Sequence, residues 1–189
     1  RSPRSTLFPY TTLFRSMFSE GTKENAAVFC HAATFMAVAY ATIGHGDKAY
    51  EAMKKIMPNA QKDMDLYKAE PYAYAEYLVG PQNPYRYGEG AFTWITGTAG
   101  WNFMCATEWL LGACREYNGL RIDPSIPRAW KTCFVRRPFR GSVYAITIEN
   151  PHGKEHGVKE VFLDGRALDG NLLPVFNDGK THQVRVILG

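Results

Sequence analysis

The sequence predicts an α+β chain in two parts, helical before about Tyr117 and β-rich after it. Three observations carry this reading. Apolar residues recur at helical spacing through the first part. Val143 to Ile148 alternates Tyr144, Ile146 and Ile148 against Val143, Ala145 and Thr147, and Asp164-Gly165 and Asp178-Gly179 are hairpin dipeptides. Taken in order, a first helix is expected over roughly Ala26 to Ile43, closed by Gly44, and a second over Asp47 to Met57, stopped by Pro58. A third is expected over Tyr72 to Val79, and a fourth over Ala99 to Ala113 with Thr98 as its N-cap. Beyond Tyr117 the alternating run and Gln183 to Leu188 read as strands, which divides the chain into residues 17–116 and 117–189.

Residues 1–16 are set aside from this pattern. Ser5 to Ser16 reads Ser-Thr-Leu-Phe-Pro-Tyr-Thr-Thr-Leu-Phe-Arg-Ser, which resembles the translation of a common sequencing-adaptor oligonucleotide rather than an organelle transit peptide. The expectation is a non-native leader, with the remainder a fragment of a longer protein. At 189 residues, 46% hydrophobic and 14% aromatic, the chain has the means to bury a core. Its net charge of +4, part of it from Arg1, Arg4 and Arg15, gives no reason to expect a nucleic-acid partner. The basic run Arg136-Arg137-Pro138-Phe139-Arg140 reads as a solvated strand edge. No apolar run reaches the length needed to span a bilayer, so no membrane is expected. Cys30, Cys105, Cys114 and Cys133 lack zinc or CxxC spacing and read as reduced, mostly buried thiols of a cytoplasmic protein. His152 and His156 have a metal-pair spacing, but Gly153 and Gly157 argue for a surface loop and no metal is expected there.

The most informative segment is Trp94-Ile95-Thr96-Gly97-Thr98-Ala99-Gly100-Trp101, which sets hydroxyls and a bare glycine backbone where a helix is about to begin. Unpaired N–H groups and the helix dipole make such a place receptive to anions. The plainer reading is an ordinary capped helix after a glycine turn. A second segment, Lys23-Glu24-Asn25-Ala26-Ala27-Val28-Phe29-Cys30-His31, runs a charged cluster straight into apolar sequence. His31 alone reads as a hydrogen-bonded core residue more readily than as a ligand.

Taken together, these motifs resemble the carboxy-terminal part of the disaccharide phosphorylases of glycoside hydrolase family 94. The resemblance runs in order through Lys23-Glu24-Asn25 with His31, Gly44-His45-Gly46-Asp47, Glu70-Pro71-Tyr72 with Tyr74, and the Trp-x-Thr-Gly-Thr-Ala-x-Trp block. It continues through Gly119-Leu120-Arg121-Ile122-Asp123-Pro124, Ile126-Pro127 and Phe139-Arg140-Gly141. It implies that the first half is the last helices of an (α/α)6 toroid and the second a small antiparallel β-sandwich. It implies that His31, Thr96 and Gly97 hold inorganic phosphate, a co-substrate rather than a cofactor, and that Lys23 and Glu24 bind the leaving sugar of a β-linked disaccharide. Tyr72, Tyr74 and Trp94 are candidate walls for sugar rings. The intact enzyme is expected to be a homodimer.

An inverting phosphorylase needs one carboxylic acid to protonate the leaving oxygen while phosphate attacks the anomeric carbon. The family's acid is an aspartate earlier in the toroid, and no residue here matches its motif; Asp63 and Asp65 read as solvated loop charges. The fragment is therefore expected to carry half a site and to be inactive alone. Two other functions are considered: a glycan-processing domain of the cyclic β-1,2-glucan synthase type, with a similar Thr-Gly loop, and a non-catalytic carbohydrate-binding β-sandwich. The second would leave the Lys-Glu-Asn and Thr-Gly-Thr segments outside its module. The stretch Tyr87-Gly88-Glu89-Gly90-Ala91-Phe92 leans toward relatives that cleave cellobionic acid.

Overall fold

A computed structural model describes residues 17–189; the leader expected over residues 1–16 lies outside the described residues. The chain is α+β, with three small sheets and few helices. The contacts of the described residues divide them into two units, one comprising residues 17–33 and 54–99 and the other 34–53 and 100–189.

Strand β1 (Val28–Phe29) leads into helix α1 (Cys30–Thr42), which Gly44 ends in the left-handed conformation. The helix begins later than the apolar spacing suggests. Ala26 has a positive φ, and Val28 and Phe29 pair with β2 (Tyr77–Leu78), so backbone pairing takes residues that helical periodicity would have claimed. Helix α2 (Gly46–Ile56) follows its expectation to within one residue. Asp63 caps α3 (Met64–Tyr67) by accepting the Leu66 N–H at 2.9 Å, so it is a structural residue rather than a free loop charge.

The helix expected over Tyr72 to Val79 does not form. Ala73, Ala75, Tyr77 and Val79 are buried in strict alternation, which is the two-residue period of extended chain, and β2 pairs with β1 on one side and β3 (Gly90–Ala91) on the other. The fourth helix is shorter than expected. Helix α4 (Thr98–Met104) widens into a π-helical turn over Cys105–Leu110, where Leu111 N–H donates to the Ala106 carbonyl. Gly112 then turns the chain with φ +66, where a Cβ would lie 2.2 Å from the Asp123 carbonyl carbon, and β4 (Ala113–Arg115) begins.

In the second unit, β4 and β10 (Leu172–Leu173) flank β5 (Leu120–Ile122) in a three-stranded antiparallel sheet. The larger sheet has the order β6 (Thr132–Phe139), β7 (Ser142–Glu149), β11 (Thr181–Leu188), β8 (Val158–Leu163), β9 (Arg166–Leu168). Leu120, Ile122 and Leu173 from the first sheet share one core with Tyr144, Ile146, Ile148, Val184, Val186 and Leu188 from the second. Burying each such aliphatic side chain contributes about 1.5–3 kcal/mol. The expectation of an antiparallel sandwich needs correction here: β11 runs parallel to β7, from Thr181 beside Val143 to Ile187 beside Glu149, and the sheet is mixed. Alternation specifies which face is buried but leaves the direction of the neighbouring strand open.

The same alternation divides the basic run on β6. Arg136 is exposed, as a solvated edge requires, whereas the inward Arg137 pairs with Glu108 of the π-helical turn at 2.7 Å. Asp47, in the first turn of α2, accepts the Arg128 N–H at 3.0 Å, while Gly46 sits so close to Ile126 that a Cβ would lie 2.2 Å from its carbonyl oxygen. Gly44-His45-Gly46-Asp47 therefore works as a packing element of this unit.

Candidate functional site

His31, in the first turn of α1, and Gly97, just before α4, come together in the first unit. A Cβ placed on Gly97 would lie 3.0 Å from Cε1 of the imidazole and 3.2 Å from each ring nitrogen, so the ring lies against bare backbone and a side chain here would push it by a few tenths of an ångström. Thr96 completes the turn. Its hydroxyl accepts the Thr98 N–H at 3.2 Å and lies 2.7 Å from the Thr98 hydroxyl, which in turn donates to the Ala75 carbonyl at 3.3 Å. The capping hydroxyl is thus that of Thr96, while Thr98, fully buried, is the first helical residue.

Lys23 and Glu24 lie on the segment that leads into β1. With Asn25, Ala27, Phe29 and Gln82 among its walls they line a cleft of about 690 Å³, and Glu24 is exposed in it. The Lys23 ammonium stands 4.5 Å above the Phe92 ring and 3.8 Å from the Glu76 carboxylate. Sequence reading did not find Glu76. Its backbone carbonyl accepts the N–H of Cys30, immediately before His31, and its neighbour Ala75 accepts from Thr98, so one short stretch touches both the Lys-Glu segment and the Thr-Gly turn.

The aromatic candidates have exposed surface. Tyr72 is 73% and Trp94 71% exposed, and their rings meet edge to face at 6.2 Å. Trp94 donates its indole N–H to Glu70 at 2.9 Å, and this bond holds the Glu70 carboxyl below the usual carboxylate range. Tyr74 is half-buried. Glu89, also missed, is buried and ionised, its carboxyl held low by hydrogen bonds from Lys68 and Arg86, which fixes the loop before β3.

Five non-glycine residues of this unit adopt left-handed backbone: Lys23 (φ 45), Ala26 (φ 72), Lys68 (φ 54), Phe92 (φ 55) and Trp94 (φ 72). Each costs of order 1–3 kcal/mol, and such strain persists only where surrounding structure over-determines it. Lys23 is itself a candidate ligand, and Phe92 is the ring beneath its ammonium. Among the described residues no group of three or more metal-ligating side chains converges, and no helix is long and apolar enough to cross a membrane. His156 directs Nδ1 toward the Pro124 carbonyl at 3.2 Å. All four cysteines are free thiols; Cys30 and Cys105 are buried, and burial pushes them up to about 12 and about 11.

Against this geometry, a profile described as "Glycosyl hydrolase 94 superfamily, catalytic domain" matches residues 8–112. The chain is 40% identical over 184 residues to a solabiose phosphorylase of Paenibacillus borealis, covering 94% of this chain and 24% of that one. It is 37% identical over 172 residues to an N,N'-diacetylchitobiose phosphorylase of Vibrio furnissii, covering 90% of this chain and 21% of that one. A cellobionic acid phosphorylase of Neurospora crassa is 29% identical over 143 residues, 74% of this chain and 18% of its own. The chain thus spans about a quarter or less of the length of these relatives.

Proposed function

The chain belongs to the glycosyl hydrolase 94 superfamily, and from that premise we propose that it supplies the phosphate and leaving-sugar subsites of an inverting disaccharide phosphorylase. The observation that carries this is the placement of the His31 ring on the bare backbone of Gly97, with the Thr96 hydroxyl at the same turn. In the proposed reaction inorganic phosphate attacks the anomeric carbon of a β-linked glucosyl disaccharide and yields α-glucose 1-phosphate. Phosphate is strongly hydrated, so donors must replace its water and aim it along the scissile bond. His31 donates from a ring nitrogen, Gly97 from its N–H, and Thr96 from its hydroxyl once phosphate replaces the Thr98 hydroxyl as acceptor of that proton. Lys23 donates to, and Glu24 accepts from, hydroxyls of the leaving sugar, with Tyr72 and Trp94 as walls.

On this reading the general acid is supplied by sequence outside this chain, the helices here are the last of an (α/α)6 toroid, and the intact enzyme is a cytoplasmic homodimer. The substrate is a β-linked disaccharide; the names of the relatives span several leaving sugars, and the Tyr87 to Phe92 stretch keeps an acidic one, as in cellobionic acid, among them.

The test is kinetic, in a full-length protein carrying this sequence, with phosphate and disaccharide varied independently. Glu24→Gln is expected to weaken or redirect acceptor use in the synthetic direction and leave the phosphate KM nearly unchanged. Phosphate-independent hydrolysis of the disaccharide, or an effect of Glu24→Gln on the phosphate KM alone, would overturn the assignment.

A further inference from the structure

One end of the β-rich unit carries a second concavity, separate in sequence from the phosphate and leaving-sugar candidates. It has a volume of about 430 Å³ and is lined by Leu163, Asp164, Arg166, Ala167, Leu168 and Phe176. That is within the size range of small-molecule sites. Its polar groups sit on the β8–β9 hairpin, where Asp164 takes the left-handed turn position at φ 48, and its aromatic wall comes from the loop before β11.

The hairpin is braced from behind. Asp164 accepts the Gln183 N–H at 2.8 Å through Oδ1, and its Oδ2 lies 2.7 Å from Nδ1 of the buried His182. His182 Nε2 faces Asp178 at 3.3 Å, and Asp178 also accepts from the Ser142 hydroxyl. The imidazole stacks on Phe176 with centroids 3.7 Å apart and planes inclined by 16°. One arrangement therefore fixes both the carboxylate and the aromatic wall before any ligand arrives, which lowers the ordering cost of binding.

The lining limits what fits. A carboxylate has about four lone-pair sites, and two of those on Asp164 remain for a ligand. Arg166, exposed on the hairpin, makes no ion pair among the described residues. The Asp164 carboxylate and the Arg166 guanidinium line the same cavity, and together they match adjacent hydroxyls, which donate to the carboxylate and accept from the guanidinium. Phe176, Leu163 and Leu168 offer surface to the C–H face of a ring. We propose that this cavity is an ancillary binding site for a neutral sugar, held by Asp164 and Arg166 against Phe176.

The experiment is a titration of the isotopically labelled 189-residue chain with glucose and with cellobiose, followed by backbone amide shifts. Saturable shifts in the millimolar range are expected at Gly165, Arg166 and Asn177. Arg166→Ala removes two or more donors from an exposed hairpin position and is expected to weaken binding by roughly tenfold or more. Arg166→Lys, which keeps the charge and loses the planar fork, should fall between. Glu24→Gln should leave these shifts intact, so this site stands or falls apart from the phosphorylase reading. Absence of saturable shifts here, equal binding by Arg166→Ala, or tighter binding of inorganic phosphate or glucuronate than of glucose would overturn the proposal.

Discussion

Replacing Gly97 by Ala isolates the contact on which the functional reading rests. Thr96 would be a poorer choice, because its hydroxyl already caps α4, and Thr96→Val would remove a cap worth about 1 kcal/mol along with any ligand contact. Gly97 lies outside the left-handed region, so alanine suits its backbone, and removing a glycine from the unfolded chain favours folding by about 0.4–1 kcal/mol. The added methyl would stand 3.0 Å from Cε1 of His31, closer than ordinary van der Waals contact, so the imidazole must move by a few tenths of an ångström. If His31 and Gly97 share one phosphate, that shift misaligns a hydrogen bond to a charged ligand, worth roughly 1.5–3 kcal/mol, and phosphate affinity should fall by about 10- to 150-fold. The assay is the phosphate KM of a full-length protein carrying Gly97→Ala, beside its melting temperature. An unchanged phosphate KM, or a change confined to the sugar's KM, would refute the shared-phosphate geometry; a large loss of melting temperature would show the contact to be one of packing.

Three further outcomes follow from the same structure. His182 is raised above the ordinary histidine value chiefly by Asp164, so its stabilisation is complete below about pH 6.5 and is lost as pH rises through its folded value. Asp164 is lowered chiefly by His182, and Asp178, to about 2, chiefly by the Lys180 N–H, so theirs is complete above about pH 4 and is lost as pH falls through their folded values. The melting-temperature gap between wild type and His182→Gln should therefore be widest between about pH 4 and 6.5, and a gap independent of pH would contradict the clamp. Asp47→Ala, which removes the acceptor for the Arg128 N–H, should cost about 1 kcal/mol, a fall of about 2–4 °C, whereas Asp47→Asn should keep most of it. Cys30 and Cys105, with thiols near 12 and 11, should resist an aromatic disulfide reagent at pH 8 in the native chain and react on unfolding; rapid native labelling would place them at the surface.

Helices α1 and α2 and the change from helix to strand were legible because their signals are local: spacing, Gly44, Pro58 and the Asp-Gly turns. Tyr72 to Val79 misled because aromatic and alanine residues serve either period, and what decided between them was a pair of partner strands distant in sequence. In the candidate site, the motifs named Lys23, Glu24, His31, Thr96 and Gly97, and the structure brings His31, Thr96 and Gly97 to one turn with Lys23 and Glu24 in a cleft of the same unit. Glu76 was invisible, since nothing local separates a lone Glu between Ala75 and Tyr77 from a solvated charge. The left-handed backbone at Lys23, Ala26, Phe92 and Trp94 was equally unreadable, because none of those residues favours that conformation alone. Arg137 shows the opposite case: counting by twos from buried Phe139 would have turned it inward.

The parallel seating of β11 between β7 and β8 also dictates an order of events for the folding chain. Both neighbours are made before β11 is, yet they do not pair with each other, so the place between them stays open, with unpaired backbone along each side, until the last strand inserts. Closing a contact such as Val143 with Thr181 spans a long loop, and such non-local pairings slow the search for the native state. During that interval the open edges of β7 and β8 are available to a foreign strand, and a second molecule's β11 is the sequence best fitted to fill them. Exchange of that strand between nascent chains is thus the misassembly to which this topology is most exposed.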